Sequence, residues 1–314
     1  MSLSPSLPLI YRSEYNIGLM GLEKLHPFDT AKYGKAYKTL KSILNLDAAQ
    51  FIKFDAVNHE DLLLAHNPIY LNRLEEASVI AQVAEMGILG SLPASLLKKH
   101  LLLPMRYAVQ GTIEGAKQAL EHGWAVNFSG GYHHAKGSMG EGFCYFADIP
   151  IAILKLWKTR PELKVLVIDL DAHQGNGIES VLRDEPHFFM MDVYNKDIYP
   201  NDTAVKKYID FDYPVPNGTG DDAYLTSVRQ GLKKAIPEAK PDLIIYNAGT
   251  DIYFGDALGG LNVSEQAILE RDALVWEAAA QNATPILMVP SGGYFKESGP
   301  MIGRSLANLL KTRV

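Results

Sequence analysis

Seven short runs rich in aliphatic and aromatic residues punctuate this sequence, at 9–11, 51–57, 124–128, 165–168, 188–193, 243–246 and 286–289. They are too short for helices and apolar at successive positions, so they read as strands, several of them covered on both faces. Between them lie longer segments, for example 104–122, 221–239 and 264–282, whose apolar residues recur at helical spacing. Strands that alternate with helices of this length build a mostly parallel sheet with helices on both sides, because parallel neighbours need a long crossover. No internal repeat points to a barrel or a solenoid. The expected class is open-sheet α/β.

Such a sheet needs a large core, and 314 residues that are 47% hydrophobic and 21% charged can supply one. Length alone would accommodate two domains, but no Pro-, Ser- or charge-rich linker divides the chain, so one domain over 1–314 is expected. The 30 basic and 36 acidic residues give a net charge of -6 and include no Lys/Arg block, so no nucleic-acid partner is expected. Cys144 is the only cysteine, which excludes an internal disulfide and fits a reducing cytoplasm. No signal peptide and no membrane-spanning run is visible, so no membrane partner is expected either.

In open α/β sheets, ligands gather beyond the carboxyl ends of the strands. Here four strand ends are unusually polar. The run at 124 leads into Ser129-Gly130-Gly131-Tyr132-His133-His134, and the run at 165 into Asp169-Leu170-Asp171-Ala172-His173-Gln174-Gly175-Asn176. The run at 243 leads into Asn247-Ala248-Gly249-Thr250-Asp251, and the run at 286 into Pro290-Ser291-Gly292-Gly293-Tyr294.

Asp169, Asp171 and His173 fall on every second position, and alternate residues of an extended chain project to one side. Asp-x-His in isolation reads as a carboxylate steadying a structural histidine. Two carboxylates at one strand end with Asp251 at another repel unless a cation intervenes, which suits a divalent metal held by Asp171, His173 and Asp251. Three protein ligands leave positions open for water and a substrate carbonyl, the arrangement of a catalytic site. Zinc is the first choice and ferrous iron the second, since oxygen-rich ligands do not separate the two.

A tandem His133-His134 is ordinarily a turn pair or a satisfied core feature, but beside a metal an imidazole can act as general base and then general acid. That role falls to His134, with His133 as its electrostatic partner. Asp169 could accept the outer N–H of His133 or bind a second cation. Tyr294 follows glycines that tolerate close approach, Gly292 among them, and its phenol could donate to a developing oxyanion. Gly142-Phe143 and Tyr199-Pro200 offer aromatic faces that could line a narrow channel for an alkyl chain, although buried aromatics are more often plain core.

These residues resemble the zinc-dependent histone deacetylase family, and specifically its class IV branch. The resemblance runs from about residue 9 to 310 and includes Tyr15-Asn16 and the segment Met20-Gly21-Leu22-Glu23-Lys24-Leu25-His26-Pro27-Phe28-Asp29. It implies an arginase-deacetylase fold, a three-layer single domain with an eight-stranded parallel sheet flanked by helices, and hydrolysis of acyl-lysine amides. It implies zinc ligation by Asp171, His173 and Asp251, a catalytic pair in His133 and His134, and a carbonyl-polarising Tyr294. It places Phe143 and Tyr199 on the substrate tunnel, and Asp169, Asp171, His173, Asp192 and Val193 around a structural potassium. Class IV relatives further imply a preference for long fatty acyl chains over acetyl.

The expected partner is an acylated lysine in a peptide or protein, or a small acylated amine, met by a monomer or weak homodimer. A two-manganese ureohydrolase would need acids where Gly175 and Tyr253 stand. A silent acyl-lysine reader would have no use for His133, His134 and Tyr294. One departure from the family pattern is Asn176, where many relatives carry aspartate. An uncharged partner stabilises imidazolium less and lowers the His134 pKa. Asn176→Asp is therefore expected to alter the pH–rate profile of hydrolysis without abolishing it, and an unaltered profile would contradict this.

Overall fold

The computed structural model describes residues 7–19 and 21–311. Met20, part of the N-terminal segment on which the resemblance rests, lies outside the described residues.

Eight strands form one sheet: β1 (Leu9–Ile10), β2 (Phe51–Ile52), β3 (Trp124–Asn127), β4 (Val165–Asp169), β5 (Phe188–Asp192), β6 (Phe211–Asp212), β7 (Leu243–Asn247) and β8 (Ile286–Val289). Their spatial order is β2-β1-β3-β8-β7-β4-β5-β6, and every pairing is parallel. The four strands with polar ends, β3, β8, β7 and β4, are therefore contiguous at the centre of the sheet. Asp169 pairs in register with both Asp192 and Asn247, which levels their carboxyl ends.

Both faces of the sheet are buried, with side chains divided by strand alternation. Leu166, Ile168, Ile244 and Tyr246 point into one core layer, together with helices Asp221–Ala239, Glu265–Gln281 and Ser298–Leu310. Val165, Val167, Leu243 and Ile245 point into the other, against helices Leu103–His122 and Asp148–Trp157. Helix boundaries follow local chemistry. Gly123 ends its helix in a left-handed conformation, and the Ser264 hydroxyl caps helix Glu265–Gln281 by accepting from the Ala267 N–H. Among the described residues no helix is long and apolar enough to cross a membrane.

Seven of the eight strands coincide with apolar runs in the sequence. The run at 51–57 shrinks to two paired residues, and β6 has no counterpart among the expected strands. Both lie at sheet edges, where one short pairing suffices and little apolar pattern is required.

One buried cation ties a flanking helix to the sheet ends. Arg271, on helix Glu265–Gln281, is fully buried, and its Nη1 donates to the carbonyls of Leu170 at 3.1 Å and Gly249 at 2.5 Å. Its Nε donates to Asp272 at 2.9 Å, while Tyr246 and Ser305 hydroxyls complete the Asp272 carboxylate at 2.5 Å each. Leu170 is adjacent to Asp171 and Gly249 lies two residues before Asp251, so this helix anchors both loops that carry them. Removing one member of a buried pair leaves an uncompensated charge costing about 3–5 kcal/mol. Arg271→Leu is expected to lose stability of that order in chemical denaturation, and a loss below about 1 kcal/mol would show that the tether is dispensable.

Candidate active site

The loop after β3 is shaped by a residue that sequence reasoning missed. Asp148, wholly buried at the start of its helix, accepts from the N–H groups of Gly131 at 2.9 Å and Tyr132 at 2.8 Å, and from the Thr112 hydroxyl at 2.6 Å. Gly131 has φ +83°, and a Cβ there would stand 2.3 Å from Asn247 Oδ1, so only glycine fits. This turn carries His133 and His134 into the site.

At the end of β4, Asp169 Oδ2 accepts from His133 Nδ1 at 2.8 Å, and Asn247 Nδ2 donates to Asp169 Oδ1 at 2.9 Å. Of the two roles open to Asp169, contact with His133 is thus realised in the geometry. Two residues beyond Asp171, His173 Nδ1 lies 3.0 Å from both Asp171 Oδ1 and Asp251 Oδ2. One donor atom from each of these three buried side chains falls within 4.8 Å of the others, the only such group found among the described residues. Ala172 N–H donates to Asp251 Oδ1 at 2.9 Å and Gly292 N–H to Asp171 Oδ2 at 2.8 Å, fixing both carboxylates. A Cβ at Gly292 would stand 2.4 Å from an oxygen of each, so glycine is what lets the β8 loop close over them.

This donor set fits a divalent cation. Burial and the Asp171 charge push the Asp251 carboxyl upward. Burial alone would lower His173, but its bonds to Asp171 and Asp251 outweigh that and raise it to about 10. Two carboxylates in so dry a space tolerate each other only when a positive charge is shared among the three side chains, supplied either by a proton on His173 or by a metal.

The tandem histidines are driven in opposite directions. Burial would lower His133, yet Asp169 and Asp171 raise it to about 9. Burial, followed by the neighbouring His133 and His173, holds His134 well below its usual range. The two neighbouring imidazoles are thus pushed in opposite directions, His133 toward holding its proton and His134 toward releasing it. Its Nδ1 lies 2.8 Å from Asn176 Oδ1.

Tyr294 arrives on the β8 loop with its backbone N–H donating to Asp256 at 2.6 Å. Its ring stands edge-on to His173, Phe143 and Phe28, each at a centroid distance of 6.0 Å. Burial first, then the Asp171 and Asp251 charges, raise its phenol well above the usual value, so it remains a donor. Lys32, fully buried, donates to the carbonyls of Ser291 at 2.5 Å and Gly293 at 3.4 Å and so braces the same loop. Nothing in the sequence pattern singles out Lys32, Asp256 or Arg271, because each acts on backbone far away in the chain.

A cavity of about 910 Å³, open mouth included, is lined by Asp171, His133, His134 and Tyr294. Gly142, Phe143 and Gly292 line it beside His133, His134 and Tyr294. Tyr199 is not among the lining residues. It is 46% exposed, with its ring edge-on to His134 at 5.1 Å. Asp192 and Val193 lie buried at the end of β5, where Val193 N–H donates to the Asp169 carbonyl and Asp192 Oδ2 accepts from Gly175 N–H. Asp192 Oδ1 is buried without a hydrogen-bond partner, an oxygen free to face a cation.

The histone deacetylase domain model matches residues 26–310. The chain is 41% identical over 301 residues to Histone deacetylase 2 of Arabidopsis thaliana, covering 96% of this chain and 78% of that one. The solved HDA15 HD domain superposes with TM-score 0.78 at 17% identity, over 98% of this chain and 88% of that chain. Acetylpolyamine aminohydrolase from Burkholderia pseudomallei superposes with TM-score 0.75 at 16% identity, over 96% of this chain and 98% of that one. At these identities the two structures speak to the fold, which is the arginase-deacetylase fold.

Proposed function

Because this chain belongs to the histone deacetylase family of hydrolases, we propose that it hydrolyses the amide of acyl-lysine, with zinc held by Asp171, His173 and Asp251. The observation that carries this reading is the convergence of those three buried side chains beside His133, His134 and Tyr294. Zinc there would act as a Lewis acid on the amide carbonyl and ease the deprotonation of a water, and ferrous iron suits the same donors as the second choice. A structural potassium among Asp169, Asp171, His173, Asp192 and Val193 is supported by the unpartnered Asp192 oxygen. We treat residues 1–314 as one catalytic domain of class IV type, whose N-terminal segment contributes Glu23, His26 and Phe28 to the cavity.

The chemistry assigned to the protein's own groups is general acid–base catalysis with oxyanion stabilisation. Tyr294 donates a hydrogen bond to the amide oxygen as negative charge develops on it. His134, neutral at the outset, accepts a proton from the attacking water on the ring nitrogen opposite Asn176. As the C–N bond breaks, the same nitrogen returns that proton to the departing lysine amine, leaving a carboxylic acid that ionises by giving its proton to the released amine. His133, held against Asp169 and favoured in its protonated form, would add positive potential beside the reacting carbonyl and disfavour premature protonation of His134.

Acyl chains longer than acetyl are favoured by the apolar walls of the cavity, to which Ile17, Leu19, Leu22, Leu89, Leu101 and Met105 contribute. A small acylated amine is the second reading, favoured by the fold shared with an acetylpolyamine aminohydrolase. Ureohydrolase chemistry is disfavoured, as Gly175 and Tyr253 provide no ligands for a second metal. The test is a panel of lysine peptides bearing acetyl through myristoyl groups, alongside acetylated polyamines, compared by kcat/KM in metal-replete enzyme. Turnover that rises with chain length and falls about a thousandfold in His134→Ala is expected. An acetyl preference would defeat the long-chain assignment, and no turnover on any substrate would favour an acyl-lysine reader.

A further inference from the structure

The partner of His134 is an amide, and an amide has two chemically different ends of nearly the same shape. Asn176 is fully buried, with Oδ1 2.8 Å from His134 Nδ1 and Nδ2 donating to Glu141 Oε1 at 2.7 Å. Glu141 also accepts from Lys136, whose ammonium lies 3.0 Å away and reaches Asp202 at 3.2 Å. A carboxylate paired with a lysine can only accept, so Glu141 claims the NH2 end of Asn176 and turns the carbonyl toward the histidine. A carbonyl too can only accept. His134 must then carry its proton on Nδ1, leaving the lone pair on Nε2, across the ring from Asn176.

We propose that Glu141 is a positioning residue that orients the Asn176 amide and thereby fixes the tautomer of His134, so that Glu141 and Asn176 work only as a matched pair. The inference rests on the reading of His134 as the base, but its cause is a hydrogen-bond direction that exists without substrate. An acid at position 176 orients a histidine without help, since either of its oxygens accepts. In this chain, however, it would set a carboxylate oxygen where Asn176 now donates, against Glu141, and one of the two would have to take up a proton. The carboxylate that specifies the histidine has moved one side chain outward, and the two arrangements exclude each other.

The test is a double-mutant cycle of Glu141→Ala and Asn176→Asp, with Glu141→Gln as the conservative control, read by steady-state kinetics and by ¹⁵N NMR of the histidine imidazoles in the full chain. In the parent protein, Glu141→Ala should lower kcat about tenfold with KM nearly unchanged, and Glu141→Gln, which still offers an accepting oxygen, should recover most of it. In the Asn176→Asp variant the same Glu141→Ala change should cost nothing or raise kcat. The ¹⁵N spectrum should show His134 protonated on Nδ1 in the parent protein and a mixture of tautomers in Glu141→Ala. Equal losses on both backgrounds, or an unchanged His134 tautomer in Glu141→Ala, would overturn the proposal. If His134→Ala kept full turnover, the assignment of the base would fail, while the tautomer measurement would still decide the role of Glu141.

Discussion

Two carboxylates and an imidazole share one buried space at the carboxyl ends of β4 and β7. Asp171 and Asp251 cannot both remain charged there unless positive charge sits between them. Much of the surrounding structure can be understood as holding that unfavourable arrangement in place. Backbone N–H groups of Ala172 and Gly292 are committed to the carboxylates. The close approach of the β8 loop is possible only because Gly292 has no side chain.

Each loop that reaches this centre is braced by a buried charged residue on another element. Asp148 holds the turn before His133, Lys32 and Asp256 hold the loop that ends in Tyr294, and Arg271 holds the backbone beside both carboxylate ligands. Buried ions contribute little net stability by themselves, yet each would be costly to orphan, so they lock loop positions that apolar packing alone would leave loose. The tandem histidines show the same logic at shorter range. Adjacent in sequence, they are separated electrostatically by the carboxylate that faces one and the amide that faces the other.

Much of this was legible in the sequence because it depends on local periodicity. The runs at 124, 165, 243 and 286 emerge as the four central strands, and the polar residues just beyond them converge as the alternation of Asp169, Asp171 and His173 suggested. Edge strands were harder, since β6 pairs through two residues and needs no pattern of its own. Braces such as Lys32 and Arg271 left no trace because their partners are backbone carbonyls brought close only by the tertiary fold. Tyr199, half exposed, stands with its ring edge-on to His134 and near His173, contacts that only the tertiary fold brings about. Glu141 lies in a glycine-containing loop, and its importance becomes apparent only once the direction of the Asn176 amide is known.

Anomalous X-ray diffraction across the zinc and iron absorption edges, on crystals of protein purified without chelator, tests the central claim most directly. The account predicts one strong peak per chain, at coordination distance from Asp171, His173 and Asp251, that appears at the zinc edge. A density map with no peak between those side chains, or with two adjacent metals there, would contradict it.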